Sequence, residues 1–190
     1  MMDSNGRMIG LGQPLWTLFP NAYHISWWHV VYEASLPTGR YDFIANLPQG
    51  SPEALQREIE RQFSLSAKRE TLVTNVLLVT VQNAGARGLK PARPNPTYKN
   101  YTGSVSEGEG QFWAESNPAS TIASFLEAWF DMPVVDGTGL TGKFDVNLKW
   151  ENRNDPHNDN LRKALLDQLG LAVIPTNMPL EMLVVRSNKK

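Results

Sequence analysis

The residues whose spacing most suggests chemistry are Gly137-Thr138-Gly139-Leu140-Thr141-Gly142-Lys143. They satisfy the G-x-G-x-x-G pattern of a dinucleotide loop and all but the last residue of the phosphate-cradling G-x-x-x-x-G-K-[ST] pattern. The dinucleotide chemistry needs a loop that runs from strand into helix, so that free backbone N–H groups and the helix dipole face the phosphates. Here the residues from Lys143 onward alternate as a strand, and Phe144 stands where a magnesium-holding Ser or Thr belongs. The run reads as a turn that enters a strand.

The histidines, His24, His29 and His157, form neither a His-Glu-x-x-His motif nor a matched His/carboxylate spacing, so no metal site is indicated. No cofactor is expected either. Asp42 and Asp145 are a candidate carboxylate pair for general acid–base work, because both follow Thr-Gly-(Arg/Lys)-aromatic. Each also follows a basic residue two positions earlier, Arg40 or Lys143, which fits exposed ion pairs of little energetic weight. No catalytic residue is assigned. The candidate ligand or partner surface is aromatic: Trp27, Trp28 and His29, with Tyr98 and Tyr101 further on. In an extended segment adjacent tryptophans point to opposite faces, so one enters a core and the other is left for a loop or a binding surface. Arg87, Lys90, Arg93 and Lys99 are spread through the segment that holds the tyrosines and read as a solvated loop rather than a phosphate site.

The elements that would position these residues occur twice. Leu36-Pro37-Thr38-Gly39-Arg40-Tyr41-Asp42-Phe43 returns as Leu140-Thr141-Gly142-Lys143-Phe144-Asp145-Val146, with matching apolar spacing upstream and downstream. In the first copy, Pro14 opens a helix reaching Tyr23. Tyr41, Phe43, Ala45 and Leu47 alternate with Arg40, Asp42, Ile44 and Asn46 as a strand, and Ser51-Pro52-Glu53 starts a helix with Leu55, Ile59 and Phe63 on one face. Leu65 to Thr71 and Val76 to Val81 are expected as a hairpin. In the second copy Phe144, Val146, Leu148 and Trp150 line one face of a strand, and a helix carrying Leu161, Leu165 and Leu169 stops at Gly170. The expectation is an α+β fold: an internal duplication of two βαββαββ-like units, small mixed sheets packed with two helices per unit. Residues 1–82 form the first repeat and 111–190 the second, separated by a Gly/Pro-rich linker or long loop at 83–110.

Composition narrows the function classes. A net charge of -1, from 18 basic and 19 acidic side chains, gives no global field to attract nucleic acid or an anionic membrane. The absence of cysteine removes disulfides, thiol catalysis and thiolate metal sites together. No apolar run is long enough to span a bilayer, so membrane insertion of this segment is not expected, and the first residues lack a signal peptide's apolar region.

The motifs Leu15-x-x-Leu18, Ala22-Tyr23-His24-Ile25, Arg40-Tyr41-Asp42-Phe43 and, most specifically, Val134-Val135-Asp136-Gly137-Thr138-Gly139-Leu140-Thr141-Gly142 carry a family resemblance over nearly the whole chain. The chain resembles an uncharacterised domain-of-unknown-function family expanded in Acidobacteria of the Solibacter type. It departs from that family in its opening strand and in the tryptophan pair. Each half is also similar in element order to the short N-terminal domain of secretins and TonB-dependent receptors, a small interaction module. The resemblance implies a periplasmic or secreted location and no known activity. The expected role is a non-catalytic cell-envelope binding, sensing or protein-interaction module whose partner is another envelope protein or a small ligand. Two alternatives stand beside it: a hydrolase-type enzyme with a site between the repeats, drawn from His24, His29, Asp42 or Asp145, and a carbohydrate or small-ligand binder using the exposed aromatics.

Overall fold

A computed structural model describes residues 7–86, 88–93, 101–106, 108–153 and 155–188. The fold is α+β, with small mixed sheets and four helices, and the chain forms two compact units. The first comprises the described residues up to Thr74 together with those from Pro179 onward; the second is Asn75–Met178.

In the first unit, strand β1 (Met8–Pro14) runs through a 3-10 turn into helix α1 (Leu18–Tyr23), then to the short strand β2 (Val30–Tyr32). Strand β3 (Arg40–Ala45) pairs antiparallel with β1, and helix α2 (Ser51–Phe63) leads into strand β4 (Leu65–Val81). The alternation read in β3 puts Ala45 in the core, while α2 presents Leu55 and Ile59 to it one turn apart. These meet Met8, Leu15, Leu18, Phe19 and Ala22, and Leu183 and Val185 arrive from the last strand of the chain. Each fully buried large side chain contributes about 1.5–3 kcal/mol. Ser51 does not cap α2 with its hydroxyl; the N-cap is Gly50, and Ser51 instead bonds the Leu47 main chain.

The second unit repeats the order. Strand β7 (Glu109–Pro118) is followed by helix α3 (Ser120–Phe130), strand β8 (Val134–Asp136), strand β9 (Lys143–Glu151), helix α4 (Asp159–Ala164, continued by a π turn over Leu165–Leu169) and strand β10 (Leu171–Ser187). Val146, Leu148 and Trp150 face a core with Phe112, Phe125 and Leu126, whereas Lys143, Asn147 and Lys149 are exposed. The start of α4 is held by Asp155, whose carboxylate accepts the N–H groups of Asp159 and Asn160. Within 83–110, strands β5 (Leu89–Pro91) and β6 (Tyr101–Ser106) form, pairing with β9 and β7 to give the sheet order β5-β9-β7-β6.

The expected hairpin within 65–81 is overturned: β4 is one strand of 17 residues. Thr71-Leu72-Val73-Thr74-Asn75 offers no Gly or Pro to turn on, and its β-branched residues favour continued extension. The equally long β10 matches it, and each contributes one half to each unit. In the first unit β2 lies parallel to β10, with Leu183 opposite Val30; in the second β8 lies parallel to β4, with Leu77 opposite Val134.

All four helices end in the left-handed region, at His24, Ser64, Asp131 and Gly170. Only the last is glycine, and it is the close approach of another main chain, beyond the positive φ that the other three also adopt, that requires it there. Its φ is 67°, and a Cβ would come within 1.9 Å of the Asn83 carbonyl oxygen.

Candidate binding surfaces

The paired aspartates are placed by register. In β1 two residues bulge out between Gly10 and Gln13 opposite β3; in β7 two bulge out between Ala114 and Asn117 opposite β9. The second bulged residue is left-handed in both cases, Gly12 at φ 57° and Ser116 at φ 54°. Asp42 Oδ1 accepts the Gly12 N–H at 2.6 Å, and Asp145 Oδ1 accepts the Ser116 N–H at 2.9 Å. Arg40 donates to the Gly12 carbonyl oxygen, so both side chains hold the same bulge. Asp145 takes its ion pair from Arg93 rather than from Lys143. Partial desolvation by itself would raise the Asp145 pKa, but the bonds from Ser116 and Arg93 hold it below the ordinary aspartate value. Within each unit the shared Thr-Gly-(Arg/Lys)-aromatic-Asp string thus fastens a bulge.

The Gly137–Gly142 run is the turn it was read as. Asp136 Oδ1 accepts the Thr138 N–H and hydroxyl, Gly139 and Gly142 take positive φ, and β9 follows directly.

The tryptophan pair is not in an extended segment. Trp27–His29 form a 3-10 turn in which none of the three is buried. Trp27 is 47% exposed and meets the edge of Trp16, itself 47% exposed, with ring centroids 5.1 Å apart. Trp28 and His29 are half-buried, and His24 is exposed at the end of α1. Trp16 was not singled out by sequence, although a tryptophan on a helical segment's polar side is a visible signal. Beside the pair, Ile9, Leu11 and Trp27 line a cleft with Gln13 and Asn21. Ile44 stands directly across from Ile9 on β3, and Leu11 and Ile44 are 69% and 70% exposed. Among the described residues the sheet that carries Ile9, Leu11 and Ile44 has two strands, β1 and β3, so each has one neighbour within it. Tyr98 lies outside the described residues, as does the side chain of Tyr101, whose backbone opens β6.

The second unit holds a cleft of about 430 Å³ on the outer face of its sheet, around Trp113. Trp113 and Asn147 are cross-strand partners, as are Lys90 and Asp145. Arg93 bridges two carboxylates, donating through Nε to Asp145 at 3.2 Å and through a terminal nitrogen to the largely buried Glu115. Sequence reading missed Trp113. Its signal was a lone aromatic on the outward-facing positions of Gln111-Phe112-Trp113-Ala114-Glu115.

Among the described residues no group of three or more His, Asp or Glu side chains is arranged to hold a metal ion, and no helix is long and apolar enough to cross a membrane. The family described as "Protein of unknown function (DUF3738)" matches residues 17–187, and the chain belongs to it. Neither the curated proteins nor the solved structures give a significant match.

Proposed function

We propose that this protein is a non-catalytic binding or sensing module of the cell envelope, periplasmic or secreted, whose first unit contacts another protein. The observation that carries this reading is the apolar surface formed by Ile44, Ile9 and Leu11 on the sheet of β1 and β3 together with Trp27 and Trp16 from the two 3-10 turns beside it. Apolar side chains scattered singly over a surface need no explanation, but a continuous patch with paired tryptophans fits a binding face. Among the described residues β3 pairs only with β1 in its sheet, which suits an extended segment that adds as a further strand beside Ile44. The two carboxylates that first suggested hydrolysis are engaged in fastening bulges, which favours binding over catalysis.

The same order of elements in both units, and the aspartate-held bulge in each, support an internal duplication as the origin of the scaffold. Under this reading the second copy's sheet gained β5 and β6 beside β9 and β7, while the first has no such flanking strands among the described residues.

The test is association in the native host. Leu11→Lys with Ile44→Lys alters two exposed positions and leaves the core untouched. The variant should fractionate with the envelope as wild type does, yet lose its co-purifying protein. Retention of the same partner by the double variant, or a cytoplasmic location of the wild type, would refute the reading.

A further inference from the structure

We infer that the outer face of the second unit's four-stranded sheet binds a neutral sugar ring stacked on Trp113. The half-buried indole lines a cleft of about 430 Å³, within the range that small-ligand sites occupy. An indole face offers an apolar platform that matches the C–H face of a pyranose, whose hydroxyls then point sideways toward hydrogen-bonding groups. Such groups surround Trp113. Asn147, which lines the cleft, accepts from Gln111 through its side-chain oxygen, so that its amide N–H₂ is the donor it can offer a ligand. Glu115 gives one oxygen to Arg93 and retains the other as an acceptor, and Lys90 extends from the neighbouring edge strand as a second donor.

The charge balance selects the ligand class. Lys90 and Arg93 face Glu115 and Asp145, so the lining residues carry two charges of each sign. An anion such as a phosphate or uronate would meet two carboxylates, and a cation would meet an ammonium and a guanidinium. A neutral polyol can use donors and acceptors of both kinds without opposing either. The ion-paired network also fixes these groups before the ligand arrives, because Arg93 ties the bulge carboxylates together and Asp145 is anchored on Ser116. This site lies in the second unit, goes beyond the protein contact proposed for the first, and has its own test.

Calorimetric titration of the full chain with neutral oligosaccharides of glucose and of N-acetylglucosamine, up to about 10 mM, should detect binding by at least one of them. Trp113→Ala should weaken that binding by at least about tenfold, as for a central aromatic contact, and Trp113→Phe should recover part of the loss. Leu166→Ala, an exposed helix position, should leave it unchanged. Thermal melting of each variant separates a lost contact from a lost fold. Binding should also persist between about 0.05 and 0.5 M salt, since no net charge is neutralised. Failure of every neutral saccharide to bind, affinity for a hexuronate or inorganic phosphate instead, or equal binding by a folded Trp113→Ala protein would each overturn the inference.

Discussion

Replacing Asp145 by alanine should cost more stability than replacing its counterpart Asp42, although both end the same sequence string. Asp145 accepts the Ser116 N–H at a part-buried site, and an orphaned donor there costs about 1–3 kcal/mol. Its ion pair with the 73%-exposed Arg93 adds at most about 1 kcal/mol. Ser116 is also a non-glycine residue at φ 54°, a strained conformation that the carboxylate helps to hold. Asp42 holds Gly12, for which a positive φ is unstrained, through an exposed bond that water can replace. We expect a loss of about 2 kcal/mol for Asp145→Ala and under about 1 kcal/mol for Asp42→Ala in urea unfolding followed by circular dichroism. Because the Asp145 carboxyl is held below its ordinary value, its contribution is fully present above that value and fades as pH falls through the lowered one. The gap between wild type and Asp145→Ala should therefore narrow in acid. Equal losses for the two variants, or a gap that widens in acid, would refute the assignment of these aspartates as bulge clamps.

Three further outcomes follow from the helix ends and the core. Gly170→Ala should lower stability by more than about 3 kcal/mol or prevent folding, because a Cβ collides with the Asn83 carbonyl and φ is positive; thermal melting checks this. Ser64→Gly, at the left-handed end of α2, should raise the melting temperature through a gain of about 0.5–1 kcal/mol. Leu148→Ala should cost about 2–5 kcal/mol in urea unfolding, since the side chain is fully buried among the aromatics of its unit.

Much of the scaffold was legible because it rests on local patterns. The alternation of Phe144, Val146, Leu148 and Trp150 has the period of a half-buried strand, and Gly170 supplies a left-handed helix end that any reader of turns can place. What escaped depends on partners distant in sequence. The strings at 89–91 and 101–106 become strands only because β9 and β7 offer their edges. Asp145 looked like one half of a local ion pair; its bonds to Ser116 and Arg93 are set by strand register across the sheet. Trp113 drew no notice because its significance lies in Lys90 and Asn147, brought beside it and its strand neighbour Glu115 from β5 and β9.

The most direct test of the proposed role is site-specific photocrosslinking in the native host, with the reactive group at Ile44 and, for comparison, at Val73, which is 74% exposed on β4. A face that receives a partner should give a discrete adduct from Ile44, absent from Val73 and abolished by Trp27→Ala. The same adducts from both positions, or none from Ile44, would contradict the account.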